Sequence, residues 1–462
     1  MMTYDEFLLS KRVLAQPCGF EVSDDDLNPM LFGFQRDICH WALRRGKAAV
    51  FAHTGLGKGP IQLEWGGQVA KRERRPVLIS APLAVAQQFE REAEKFHVSI
   101  TRCQQDADVR SGVNVTNYDR LDNFDLDRFV GVSLDESSIC KDFNAKTTRM
   151  LIERLEKTPF KLACTATPSP NDHSELGTHA ELLDVMTRPQ MLAMFFEHDG
   201  GETSKWALKG HGKKPFFRFV SSWGVCVQRP SDLGYPDDGY DLPKLNIAEH
   251  IVPVDLSKET EGMLYRCPDM SATGLHKELR LTCIERAAKV AQLVREKPNV
   301  PWLLWCNTNY EADAVRTAIP ECHEVRGSDS QDKKESAIIN FIDGKIRVLL
   351  SKPSIFGWGL NLQCCRDMAF VGLGYSFEAV FQAIRRCWRF GQMQEVNAHL
   401  VVAETEGPVL ESLRRKERQY IELQSEMNAV MREEQLMARH KITRYDHAER
   451  MTVPKWLVSQ AS

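Results

Sequence analysis

The chain has 462 residues, more than one compact core usually organises, so roughly two to four domains are expected. An apolar content of 43% is ample for real cores, and 60 Lys and Arg against 63 Asp and Glu leave a net charge of -3, which argues neither for nor against a nucleic-acid partner. No stretch approaches the ~20 apolar residues of a membrane span, so a membrane partner is not expected and a cytoplasmic protein is. The 13 Cys lack Cys-x-x-Cys spacing and read as reduced core residues rather than zinc ligands.

Taken in chain order, short apolar runs at residues 48–52, 77–80, 113–116, 129–134 and 162–165 predict buried parallel strands. A second set follows at 302–306, 348–351, 369–371 and 399–402. Helical stretches separate the strands, so the fold class is α/β. Between the sets, Gly200, Gly201, Gly210, Gly212, Pro215, Pro230, Pro236 and Pro243 break the periodicity, which marks a helical or irregular segment between two lobes. After residue 410, Leu413, Tyr420, Met427 and Val430 recur among mixed charges and predict a long amphipathic helix, expected as a brace on the second lobe. The organisation is therefore an N-terminal extension (1–27), lobe one (28–190), an inter-lobe segment (191–245), lobe two (246–410) and a C-terminal helical extension (411–462).

The first strand runs into His53, Thr54, Gly55, Leu56, Gly57, Lys58 and Gly59. Glycines let backbone amides turn inward around phosphate oxygens, the following helix adds a favourable dipole, and Lys58 supplies a point charge. A nucleotide phosphate is the expected ligand, with Gly59 standing where a magnesium-binding Ser or Thr is expected. Downstream, the run 129–134 ends in Asp135 and Glu136, two carboxylates at the carboxyl end of a strand, where open α/β sheets bind ligands. Asp135 suits a metal ligand, and Glu136 suits a base for the attacking water.

In the inter-lobe segment, Lys205, Lys209, Lys213, Lys214, Arg218 and Arg229 are interleaved with Trp206, Phe216, Phe217, Phe219 and Trp223. Two readings stay open: a nucleic-acid contact, with basic groups on phosphates and rings on bases, or a helical piece anchored to a lobe by its aromatics.

These elements, in this order, resemble the superfamily 2 helicases, and within them the Swi/Snf-type translocases on double-stranded DNA, over roughly residues 30 to 410. Gln382, Ala383, Arg386, Arg389, Gly391 and Gln392 follow that group's final motif Gln-Ala-x-Gly-Arg-x-x-Arg-x-Gly-Gln, with Arg385 in place of Gly. The resemblance implies two RecA-like lobes with mainly parallel sheets, with ATP and Mg2+ bound between them. It makes Gln35 the adenine-reading residue and Arg386, then Arg389, the arginine finger. It places nucleic-acid grips at Pro82, Thr116 and Asn117, and makes Thr165, Ala166 and Thr167 a link between the ATP site and the track. In lobe two, Gly357, Gly359, Asn361 and Leu362 resemble the Gly-x-Gly-Leu-Asn-Leu motif, with Gly359 toward nucleotide and Asn361 toward nucleic acid. Residues 54–58, 134–138, 166–172 and 231–235 are also similar to helicase-like proteins of phages and prophages, which implies a bacterial or viral origin. The implied function is an ATP-driven motor on double-stranded DNA, with single-stranded DNA or RNA as other tracks and a nuclease or methyltransferase as a separately encoded partner. Two alternatives stand beside it: a strand-separating DNA or RNA helicase, and a nucleotide-binding scaffold that does not hydrolyse ATP.

Overall fold

The computed structural model describes residues 15–199, 202–254, 271–356 and 362–442. The first lobe opens with α1 (Gly33–Arg45), β1 (Lys47–Ala52), α2 (Lys58–Glu73), β2 (Val77–Ala81), α3 (Leu83–Lys95), β3 (Ile100–Arg102) and β4 (Val113–Asn117). It continues with β5 (Gly131–Asp135), β6 (Phe160–Cys164) and α4 (Leu176–Leu182). A small antiparallel hairpin of β7 (Phe196–Asp199) and β8 (Glu202–Leu208) precedes α5 (Lys213–Ser221) and β9 (Gly224–Val227). Strands one to six and nine form one parallel sheet in the order β3-β4-β2-β5-β6-β1-β9.

The central strands are buried along nearly their whole length, as expected when helices cover both faces of a parallel sheet. On one face, Phe34, Ile38 and Ala42 of α1 and Ile61, Trp65 and Val69 of α2 share a core with Ala48 and Val50 of β1. Their three- and four-residue spacing gives each helix one apolar stripe. On the other face, Phe51 packs with Phe216, Phe217, Phe219 and Trp223.

Lobe two repeats the design with β10 (Leu245–Val252), α6 (Cys283–Glu296), β11 (Trp302–Trp305), β12 (His323–Glu324), β13 (Val348–Ser351), β14 (Asp367–Phe370), α7 (Phe377–Ile384) and β15 (Val396–Ala403). Its parallel sheet has the order β10-β15-β14-β11-β13-β12. The molecule thus has the two RecA-like α/β lobes that the sequence implied.

Two regions differ from expectation. Within 191–245, β9 joins the edge of the first lobe's sheet beside β1, and α5 packs into that lobe's core. The dense Gly and Pro suggested a linker, but Gly224 serves close approach: a side chain there would meet the Phe51 ring at 2.9 Å. The aromatics at 216, 217, 219 and 223 are fully buried, so they anchor this piece to the lobe and are not stacking platforms for bases. The C-terminal helix, α8 (Gly407–Ile442), is not confined to lobe two. Val409, Leu410 and Leu413 enter the lobe-two core, whereas Leu423, Met427 and Val430 enter the lobe-one core. Its 36 residues reach about 54 Å, more than one lobe needs. Among the described residues, no helix is long and apolar enough to cross a membrane.

Candidate nucleotide site between the lobes

Register brings the chemistry to the carboxyl ends of the first sheet's strands. Asp135 at the end of β5 pairs with Cys164 of β6, which pairs with Val50 near the end of β1, so the acidic pair and the phosphate loop leave the same end of the sheet with one strand between them. The loop turns at Gly55 and Gly57, with φ of 93° and 79°, conformations that disfavour side chains. A Cβ at Gly57 would lie 2.2 Å from Gln35 Nε2. The Gln35 carboxamide ties the loop to the start of α1: Nε2 donates to Leu56 O (3.0 Å), and Oε1 accepts from Phe32 N–H (3.0 Å). Lys58 opens α2 and donates to Ala52 O at 3.0 Å. Thr54 lines the cleft, and its Oγ1 is buried with no hydrogen-bond partner. His53 lies edge-on to Phe381 of α7 (5.6 Å), and burial, then Arg385 and Lys58, holds its imidazole well below the usual range.

Asp135 is fixed from both sides. Gln62 of α2 donates to its Oδ1 (2.7 Å) and accepts from the Ser133 hydroxyl (2.8 Å), while Tyr118 OH donates to the Asp135 carbonyl (2.6 Å). Burial, then the neighbouring Glu136, pushes the Asp135 carboxyl up, with Lys58 and Gln62 opposing. Glu136 takes a left-handed backbone conformation, φ 51°, a strained choice for a non-glycine residue that is common at functional sites. Two adjacent buried carboxylates at the end of a strand are oxygen donors of the kind a divalent cation takes, so this donor set fits magnesium.

The second lobe closes the cleft. Gln382 at the end of α7 reaches across to Glu136 Oε2 (3.5 Å), and Arg386 donates to Gln382 Oε1 (3.1 Å). Both Arg386 and Arg389 line the cleft with Lys58, Asp135 and Glu136. Burial, then Arg389, brings the Arg386 guanidinium down to about 10, so it stays charged at neutral pH. Glu378 on the same helix pairs with Lys141 and accepts from the Thr167 hydroxyl (3.1 Å), which joins the Thr165–Thr167 element to lobe two. Arg385 leaves the cleft and lies 4.0 Å over the Trp388 ring. At the rim, Tyr240 meets Phe390 (4.6 Å) and Phe32 (6.2 Å).

Other expected site residues are placed differently. Pro82 precedes α3 and is half-buried, the Thr116 hydroxyl donates to Cys103 O (2.9 Å), and Asn117 Oδ1 is buried without a partner. Lys213 is paired with Glu422 (2.6 Å) and Glu426 (3.0 Å) of α8, whereas Lys214 is exposed. Gly357, Gly359 and Asn361 lie outside the described residues, as does the side chain of Lys205. The sequence reading missed Gln62, Tyr240 and Glu92. Gln62 sits one helical turn after Lys58, a spacing that signals the same helix face. Tyr240 and Glu92 carry no local signal, since only the fold brings them to the loop. Glu92 on α3 accepts from Gln88 (2.7 Å), lines the cleft, and is pushed up by burial against Gln88, Arg389, Lys95 and Lys58.

Comparison with known proteins agrees with a helicase-like second lobe: residues 285–391 match the helicase conserved C-terminal domain. The chain is 24% identical over 428 residues to the DNA annealing helicase and endonuclease ZRANB3 of Bos taurus and, equally, to that of Homo sapiens. Each match covers 82% of this chain and 39% of the relative, so the chain spans about two fifths of those proteins. Among solved structures, the Sulfolobus solfataricus SWI2/SNF2 ATPase core in complex with dsDNA aligns over 89% of this chain and 97% of that one, with a TM-score of 0.42 and 15% identity.

Proposed function

We propose that the chain is an ATP hydrolase of the superfamily 2, Swi/Snf-type kind, which couples closure of its two lobes to translocation on double-stranded DNA. The observation that carries this reading is the contact across the cleft, where Gln382 of lobe two reaches Glu136 of lobe one and holds Arg386 beside it. A catalytic base and a cation for the transferring phosphoryl group then share one pocket only while the lobes are together.

In this reading the loop amides and Lys58 hold the phosphates, while Phe32, Tyr240 and Phe390 offer ring faces to the base. Gln35 keeps the loop in place and can exchange its local bonds for the adenine edge. Asp135 is the residue that would hold magnesium, which when bound offsets phosphate charge and polarises the group transferred. Glu136 Oε2 takes the proton of the attacking water, and Arg386, with Arg389 beside it, neutralises the charge that builds on the phosphoryl oxygens. Closing and reopening the cleft moves the lobes relative to each other, and Glu378 with Thr167 carries that motion to the first lobe's strand ends. DNA as the track is supported by the similarity to DNA annealing helicases, and duplex by the likeness of residues 382–392 to the Swi/Snf motif.

The test is magnesium-dependent ATP hydrolysis alone and with duplex DNA, single-stranded DNA or RNA, using Glu136→Gln as the blank. Stimulation chiefly by duplex, with a loss of about 10² to 10⁴ in the variant, is expected. Stimulation chiefly by single strands would favour the strand-separating helicase, and hydrolysis under no condition would favour the scaffold that Gly59 suggests. Lys214→Glu tests the DNA path apart from the Lys213 pairing: it should weaken duplex binding and flatten its salt dependence, and an unchanged salt slope would remove this residue from the path.

A further inference from the structure

The phosphate loop lacks the hydroxyl that follows the lysine, yet the space is not empty. A Cβ at Gly59 would lie 1.7 Å from Glu92 Oε2 and 2.8 Å from Glu92 Cδ. A carbon–oxygen single bond is about 1.4 Å, so a carboxylate oxygen stands within the volume that a serine or threonine side chain at 59 would use for its own oxygen. This oxygen comes from α3, a different element, whose Gln88 donates to the other carboxylate oxygen, Oε1 (2.7 Å), and steadies the group. Glu92 lines the same cleft as Lys58, Asp135, Glu136, Arg386 and Arg389.

We propose that Glu92 replaces the missing loop hydroxyl, with Oε2 supplying the oxygen donor on the phosphate-loop side of the magnesium site while Asp135 supplies the donor from β5. The inference rests on the ATP-hydrolysing reading of the site. Magnesium takes carboxylate oxygens readily and keeps several waters, so a carboxylate delivered by a neighbouring helix meets its chemical demand as a hydroxyl would. Charge is what distinguishes the two. A hydroxyl is neutral and tolerates phosphate without metal, whereas Glu92 repels phosphate until a cation lies between them. The chain should therefore depend on magnesium for nucleotide binding, not only for turnover. Gly59 is then required rather than degenerate, because a side chain there and the Glu92 carboxylate compete for one space.

The test measures affinity for a fluorescent ATP analogue in magnesium and in EDTA, with Mn2+ binding followed by electron paramagnetic resonance, on the full chain. Wild type should bind the analogue much more tightly with magnesium. Glu92→Gln, which keeps the shape and a partner for Gln88, should shrink that ratio by about tenfold or more, in the range seen when groups supporting a metal are removed. It should also weaken Mn2+ binding while leaving affinity in EDTA equal or higher. Glu92→Ala combined with Gly59→Ser should recover part of the magnesium effect, whereas Gly59→Ser alone should not improve it. A merely structural Glu92 would shift both affinities together, and an unchanged ratio in Glu92→Gln with normal wild-type binding would overturn the proposal while leaving the nucleotide site standing. No analogue binding by wild type in either condition would overturn both.

Discussion

Arg385 and Arg386 are neighbours with the same chemistry and opposite fates. Arg386 turns into the cleft beside Gln382, while Arg385, where the resembled motif has Gly, caps the Trp388 ring on the far side. Arg386→Ala should reduce kcat by about 10³ or more, the scale of an arginine finger, with nucleotide affinity little changed. Arg385→Gly should leave kcat within a few-fold; a loss as deep as that of Arg386→Ala would mean that the second arginine also reaches the phosphates. Residues 386 and 389 were singled out by the resemblance of 382–392 to the Swi/Snf final motif, and the structure places both in the cleft. That resemblance did not reveal the role of Glu92 or Gln62, whose importance lies in where α2 and α3 are packed. A second residue-scale prediction concerns His179 on α4, whose Nε2 lies 3.1 Å from the hydroxyl of Ser137, the residue after Glu136. Burial drives its imidazole down to about 4. The folded pKa is depressed, so between pH 6.5 and 4 the unfolded chain binds a proton that the folded chain refuses, and stability falls as pH falls through that window. The stability advantage of wild type over His179→Gln should shrink by about 2 kcal/mol from pH 7.5 to pH 5, measured by urea unfolding. A constant difference would show that the imidazole takes up its proton without unfolding.

At the scale of elements, the long apolar runs were legible because a strand buried on both faces has no polar alternation to confuse it. Shorter pieces were not. β3 has three residues and half-exposed edges, and β9 follows directly after Trp223 in a stretch whose glycines and prolines read as a break. A more consequential omission is Arg286 in α6, which reads as one more charge on a surface helix and is instead wholly buried. It pairs with Glu311 (2.6 Å) and Glu406 (3.4 Å) and donates to the Val371 carbonyl, so one guanidinium ties α6 to the start of the following helix, to the end of β14 and to the entry of α8. Gly372 is a glycine for this reason, since a Cβ there would lie 1.8 Å from the guanidinium. Arg286→Leu leaves two acids buried without their cation, and breaking a buried pair from one side costs about 3–5 kcal/mol. The denaturation midpoint of lobe two should fall accordingly, read from the fluorescence of Trp302 and Trp305, both fully buried in β11. A shift of a few tenths of a kcal/mol would show that water reaches these carboxylates.

For the whole molecule, the two lobes meet not only at the cleft but along α8. Tyr420 of that helix donates to the Ala166 carbonyl (3.1 Å) in lobe one while its ring meets Phe377 (5.7 Å) and Phe381 (5.2 Å) in lobe two. One turn on, Gln424 donates to the Tyr420 hydroxyl and accepts from Gln228, beside β9. The ion pairs of Lys213 with Glu422 and Glu426 add little, since they face solvent. The apolar seats of Leu423 and Met427 hold the far half of the helix on lobe one. We expect such a strap to limit how far the lobes can part, and it touches the same Thr165–Thr167 element that Glu378 reaches from α7. Met427→Asp puts a charge into a fully buried apolar seat, and the cheapest escape is release of this half of the helix rather than loss of either sheet. Hydrogen exchange should then lose protection along residues 420–430 while β1, β5 and β11 keep theirs, and small-angle scattering should give a larger radius of gyration without nucleotide. If the ATP-motor reading holds, hydrolysis without DNA should persist while its stimulation by duplex falls, because the site closes by its own contacts but the lobes no longer move as a tethered pair. Exchange along 420–430 that matched wild type would mean that the seat absorbs the charge, and the strap would have to be tested by severing it at the Gln228–Gln424 contact instead.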